Sequence, residues 1–166
     1  MEATDVRKKL IETLRMFDTV MVATTATNGT MHARPMAIAE IDEGCEVWFV
    51  TSDDTAKVDE VMKDARAVVT GQEKGRYVSL TGTIDVIKDR ERVRALWKPA
   101  WKAWFPEGKE DPDIVLMRLR PEIGEYWDNH GMKGVRFLFE AARAVLNGTS
   151  AADRASRPEQ HAKVPL

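Results

Sequence analysis

Four residues with phosphate-binding chemistry crowd into the stretch TSDDTAK: Thr51, Ser52, Thr55 and Lys57. An apolar run, CEVWFVT, precedes them, and a helix-patterned segment follows. If a strand ends near Thr51 and a helix begins near Thr55, free backbone amides and the positive end of the helix dipole converge there. Hydroxyls donate to phosphate oxygens, and Lys57 adds a point charge one turn in. The same residues also read as a plain helix start, with Ser52, Asp53, Asp54 or Thr55 as N-cap and Lys57 solvated. Asp53 and Asp54 favour that reading unless they point away, since they repel an anion.

A second stretch, HARPMAI (32–38), carries a proline inside a strand pattern. Proline removes a ladder donor, so it marks an edge, a bulge or the approach of something other than a strand. Strict alternation puts His32, Arg34, Met36 and Ile38 on one face and the small residues Ala33, Pro35 and Ala37 on the other. Small side chains leave room for a flat ligand against the backbone, and Arg34 can balance a phosphate or an electron-rich ring edge. An edge strand with an exposed arginine is the competing reading. Trp97, Trp101 and Trp104 fall at helical spacing interrupted by Pro99, which suits core or subunit interface better than a cofactor box. Trp127, in EYWD, either closes the core or stacks on a ligand. His32, His130 and His161 have no metal spacing with one another or with Cys45, so no metal is expected.

The elements that must position these residues follow from periodicity. Residues 4–17 predict a helix capped by Thr4 or Asp5, with Leu10, Leu14 and Phe17 on its buried face. Residues 19–41 predict a β-hairpin turning at Asn28-Gly29, and CEVWFVT predicts a third strand. Residues 55–63 predict a helix with a stripe of Val58, Val61 and Met62. ARAVVTG and RYVSLTGTIDVI read as two strands, DRERVRALW and PAWKAWF as one helix broken at Pro99 or two short ones, and DIVLMRLRP and IGEYWD as strand-like segments. VRFLFEAARAVLNG (135–148) reads as a final helix, and 149–166 as a polar tail whose Val164 and Leu166 can dock. Six or seven short strands with hairpin turns and few helices argue for a mainly β (α+β) domain, an antiparallel barrel with peripheral helices. Neither a GxGxxG fingerprint nor a Walker-type loop is present, which excludes the usual nucleotide folds.

Bulk properties narrow the partners. The chain of 166 residues suits one domain, 1–148, plus the tail. Twenty-five basic against 27 acidic side chains argue against nucleic-acid binding. A lone cysteine and a charged N-terminal segment point to a cytoplasmic protein that does not engage a membrane.

In order and spacing, HARPM, WFVTSDDTAKVDEV, YVSLTGTIDVIKDRERVRALW, WFPEGKEDPDIVLMRLRP and EYWD resemble the pyridoxamine 5'-phosphate oxidase-like split barrels, and more narrowly the general stress protein 26 branch. The resemblance spans roughly residues 8–128. It implies a six-stranded split barrel and a homodimer with FMN at two sites between subunits; the superfamily also includes FAD and deazaflavin binders. It places Arg34, Pro35, Met36 and Ala37 along the isoalloxazine ring, and Thr51, Thr55 and Lys57, with Ser52 beside them, on the phosphate. Tyr77 approaches the ring, and Trp127 reaches it across the dimer. Two departures weigh against vitamin B6 phosphate oxidation. Ala56-Lys57 replaces an Arg-Lys pair, and DNHGMKGVRF replaces the Arg-x-His element that follows the tryptophan. A flavin-dependent oxidoreductase, a non-catalytic flavin-binding or sensing module and a deazaflavin-dependent reductase all remain open, with no catalytic side chain named.

Overall fold

The structure, a computed structural model, describes residues 3–128 and 161–166. Helix α1 (Ala3–Leu14) leads into strands β1 (Thr19–Thr25), β2 (Met31–Ile41) and β3 (Val47–Ser52). Helix α2 (Ala56–Lys63), strands β4 (Arg66–Glu73) and β5 (Arg76–Ile87), and helix α3 (Arg90–Leu96) come next. Two 3-10 turns, Pro99–Ala103 and Gly108–Glu110, precede β6 (Ile114–Asp128), and β7 (His161–Pro165) ends the described chain. The strand order β3-β2-β1-β4-β5-β6 closes on itself through a β3–β6 pairing, giving a six-stranded antiparallel barrel, with β7 added on β6. The expected fold class is the observed one.

Alternation along each strand builds the core. Val20 and Val22, Val47 and Phe49, Val69, Val78 and Leu80, and Leu119 and Tyr126 all point inward and are buried. Leu10, Leu14 and Phe17 of the α1 region pack on the same cluster. The β4–β5 hairpin turns through Lys74 and Gly75, both at positive φ, the geometry a two-residue turn requires. Gly82 admits no side chain: a Cβ there would lie 2.1 Å from the Arg120 carbonyl oxygen. The β5–β6 register shifts at that point, opposite Pro121, so β6 bends through its proline instead of stopping.

Several expectations need correction. DIVLMRLRP and IGEYWD form one 15-residue strand, because the irregularity at Gly82 accommodates Pro121. Helix α1 begins at Ala3, so Thr4 and Asp5 sit in its first turn and do not cap it. The first hairpin turns over residues 26–30, with Gly29 alone at positive φ and Asn28 Oδ1 accepting from the Thr30 amide and hydroxyl. PAWKAWF supplies a 3-10 turn, not a helix, so the three tryptophans share no face. Trp101 is buried in a second cluster with Trp48, Val93 and Phe105, and Trp97 meets it edge-on at 5.8 Å. Trp104 is 68% exposed. Val164 is buried, and the Leu166 amide donates to the Glu122 carbonyl, so the end of the tail docks. The helix expected at 135–148 lies outside the described residues.

Candidate functional site

Among the described residues, strand β2 is paired with a different neighbour along each of its two parts. It pairs with β1 from Met31 to Ala37, but with β3 only through Ile38, Glu40 and Ile41. The barrel is thus split along the β2 edge at 31–37, facing the end of β3. The Ile38 amide donates to the Asp18 carbonyl on the β1 side, so alternation turns the backbone of Ala33, Pro35 and Ala37 toward the open edge. Pro35 therefore sits where its missing N–H costs no bond to β1. Its neighbours Arg34 and Met36 point inward with their backbone groups toward β1, and Met36 is part of the core, so Met36 offers a ligand at this edge neither side chain nor free backbone group.

The β3–α2 junction forms the other side of the split. The Thr51 and Thr55 hydroxyls lie 3.4 Å apart, and Thr55 Oγ1 donates to the Ser52 carbonyl at 2.8 Å. Thr55 is the N-cap residue, yet its side chain makes no capping bond, so the first-turn amides of Ala56 and Lys57 have no acceptor within the helix. Both acids are occupied: Asp53 pairs with Lys88, and Asp54 accepts from the Ser52 hydroxyl at 2.6 Å. Ser52 is spent in that bond, while Thr51 and Thr55 line the junction.

Lys57 has no hydrogen-bond or ion-pair partner among the described residues. Burial lowers its pKa, and the nearby Arg34 charge lowers it further, against opposing pulls from Asp54 and Glu60. A half-buried ammonium with a cationic neighbour and an uncapped helix start beside it fit an anion.

The sequence reading did not single out the residue at the centre of this group, Glu60. It expected Met62 in the buried stripe of α2; Met62 is 72% exposed, and Glu60 is buried with Val58 and Val61 instead. The Glu60 carboxylate accepts from Thr24 Oγ1 at 2.5 Å, from Arg34 at 2.6 Å and from His32 Nδ1 at 3.1 Å. Arg34 also donates to Thr24 Oγ1 at 2.5 Å, closing a ring of three residues. Burial pushes the Glu60 carboxyl up, but the bonds from Thr24, Arg34 and His32 and the Arg34 charge outweigh it, and its pKa lies below the ordinary value. Lys57 and Glu60, three apart, share one face of α2, and that spacing was the available signal.

Arg34, Thr51, Thr55 and Lys57 thus come together at the split, with Pro35 and Ala37 on its edge. Tyr77 and Trp127 do not join them. They are cross-strand neighbours on β5 and β6, facing outward, and β5 stands three strands from β2, about 14 Å at the usual spacing. Cys45 is buried, and burial pushes its thiol up to about 11, an inert core position. No cluster of metal-ligating side chains occurs among the described residues.

Comparison with known proteins decides the family. Residues 5–152 match the family described as pyridoxamine 5'-phosphate oxidase like. The chain belongs to it. Among solved members of similar shape is a putative general stress protein 26 from Jannaschia sp. CCS1, 26% identical, with a TM-score of 0.68 over 98% of this chain and 99% of that one. The general stress FMN/FAD binding protein of Xanthomonas citri is 30% identical, with a TM-score of 0.66 over 76% of this chain and 91% of the other. A curated relative, protein bli-3 of Neurospora crassa, is 26% identical over 118 residues, which are 64% of this chain; the match spans about half, 56%, of that relative's length. Within the pyridoxamine 5'-phosphate oxidase-like family, the split barrel described above is similar to solved proteins named as general stress protein 26.

Proposed function

We propose that this protein binds a flavin as a homodimer, with the flavin phosphate on Lys57, Thr51, Thr55 and the first amides of α2, and the ring system along the open edge of β2 at 34–37. The observation carrying this reading is the Lys57 ammonium, without a partner among the described residues, between an uncapped helix start and a strand edge that no described residue pairs. The printed name of the Xanthomonas citri relative supports the ligand class. A second copy is supported by the outer face of the sheet. The adjacent outward rows Pro35–Met21–Thr70–Ser79–Glu125–Lys163 and Ala33–Ala23–Val68–Thr81–Ile123–Pro165 carry only one ion pair, Glu125 with Lys163, and Met21 and Ile123 are exposed on them. Burying that face against another copy gives Tyr77 and Trp127 a route to a partner's split that they lack within one chain.

A bound flavin supplies hydride or electron transfer, and the protein binds, orients and electrostatically tunes it. Arg34, at the start of that edge, is held in place by Thr24 and Glu60. The activity that fits is that of a flavin-dependent oxidoreductase of the cytoplasm. A passive flavin-binding module is the second reading, favoured by Glu60: this buried carboxyl is held ionised and offers no poised acid. The test begins with purified protein, whose flavin spectrum should survive desalting. Anaerobic NADH or NADPH then bleaches the flavin of a reductase and leaves that of a binder unchanged. A colourless protein that takes up neither FMN, FAD nor a deazaflavin refutes both readings.

A further inference from the structure

The charge count at the split is unusual for a phosphate site. Lys57 and Arg34 are close enough for the charge of one to act on the other, yet Arg34 is not available as a free cation. One guanidinium nitrogen is bound to Thr24 and another to Glu60, and the Glu60 side chain is 5% exposed. A carboxylate this deeply buried is screened little by solvent, so it cancels the Arg34 charge at close range. The sum over Lys57, Arg34 and Glu60 is one positive charge (+1 +1 −1). Asp54, the other acid acting on Lys57, is exposed and bonded to Ser52.

We propose that Glu60 is a specificity-determining residue: by neutralising Arg34 it leaves Lys57 as the net charge that the described residues bring to the anion site, biasing that site toward a singly charged phosphate. The inference rests on the flavin reading above and deepens it. A terminal phosphate monoester such as that of FMN approaches two negative charges above its second ionisation, near pH 6. The ring-proximal phosphate of FAD is an internal pyrophosphate unit with one. A site of net charge +1 matches the second group and under-compensates the first. Exchanging Glu60 for glutamine keeps the side-chain volume and an acceptor for Arg34, and raises the site to +2.

The experiment measures dissociation constants of FMN, FAD and riboflavin at pH 8 for the wild type, Glu60→Gln and Arg34→Gln, with circular dichroism of each variant. The affinity ratio of FMN to FAD should rise about fivefold in Glu60→Gln and fall in Arg34→Gln, where Glu60 is left unopposed. Riboflavin, which carries no phosphate, should change little in Glu60→Gln. A merely structural role for Glu60 would weaken all three ligands together, and an unchanged or falling ratio in folded Glu60→Gln overturns the inference while leaving the flavin reading intact. Thr24→Val removes a bond to Glu60 without altering charge, and should leave the ratio where it was; a shift there equal to that of Glu60→Gln also overturns the charge argument. Equal wild-type affinity for all three ligands, or none for any, overturns the phosphate site and this inference with it.

Discussion

Removing Glu60 outright tests how the split is held together. Glu60→Ala strips acceptors from Thr24, Arg34 and His32 at once. Breaking a buried ion pair from one side costs roughly 3–5 kcal/mol, because the surviving charge stays desolvated. Arg34 keeps 21% of its side chain in solvent and can relax outward, so the lower end, about 3 kcal/mol, is the expected loss. At about 2–4 °C per kcal/mol for a chain of this size, the melting temperature should fall by about 6–12 °C. Arg34→Met should recover part of that loss when added to Glu60→Ala, giving a coupling energy of about 1–3 kcal/mol in a double-mutant cycle. Urea unfolding at one fixed protein concentration supplies the four stabilities, since dimerisation makes them concentration-dependent. The sign of the pH dependence is also set. The folded pKa of Glu60 lies below the unfolded value, so its contribution is complete above the unfolded pKa and is lost as pH falls through the folded one. Glu60→Gln should therefore flatten the acid limb of the stability profile below pH 4.5, the ordinary value for this group. A loss below about 1 kcal/mol for Glu60→Ala, or strict additivity with Arg34→Met, would refute the picture of a closed, mutually dependent ring.

Lys57→Ala should weaken FMN about 10- to 100-fold, the range for a lost charge-assisted hydrogen bond, and riboflavin hardly at all; equal losses by fluorescence titration rule out Lys57 as the phosphate ligand. Without ligand the same variant should be no less stable at neutral pH. The folded pKa of Lys57 is lowered, so its charged form opposes folding until pH rises through that folded value, and chemical denaturation from pH 7 to 10 reads the difference. Trp101→Ala should cost about 3–5 kcal/mol in urea unfolding and Trp104→Ala less than about 0.5, since one fills the second core cluster and the other stands in solvent. Gly82→Ala should destabilise the barrel by about 3 kcal/mol, because its Cβ would meet the Arg120 carbonyl in backbone that cannot step aside without undoing the β5–β6 irregularity.

Local patterns in the chain announced the barrel well, and the failures have physical causes. Alternation identified β1, β4 and β5, each with one face buried, and a short apolar run identified β3, which is buried on both faces. Thr51, Thr55 and Lys57 stood out as hydroxyls and a cation at an expected helix start, but the same types serve there as plain caps, so residue type alone left an anion site and a simple cap both open. Pro99 did break the tryptophan register, but only packing determines that Trp101 faces Trp48 while Trp104 faces water. Pro121 read as a strand stop, because the Gly82 irregularity that tolerates it lies 39 residues away in sequence (121 − 82) and no local pattern reports it.

Glu60 shows the limit most clearly. In a helix of eight residues, a glutamate beside an aspartate reads as the solvated face, and hydrophobic periodicity assigns the buried position to Met62. What reverses that assignment is long-range: Thr24 and Arg34, 36 and 26 residues away, supply two of the three donors that make a buried carboxylate tolerable. A charge enters the core only when its partners are already placed there by other elements. The same condition makes its burial informative once seen. A fold that needed only hydrophobic packing at this point would have kept the methionine inside, and replacing such an ion pair by apolar residues often costs nothing in stability. The presence of Glu60 is therefore better explained by what it does to the charge at the split than by what it adds to the core.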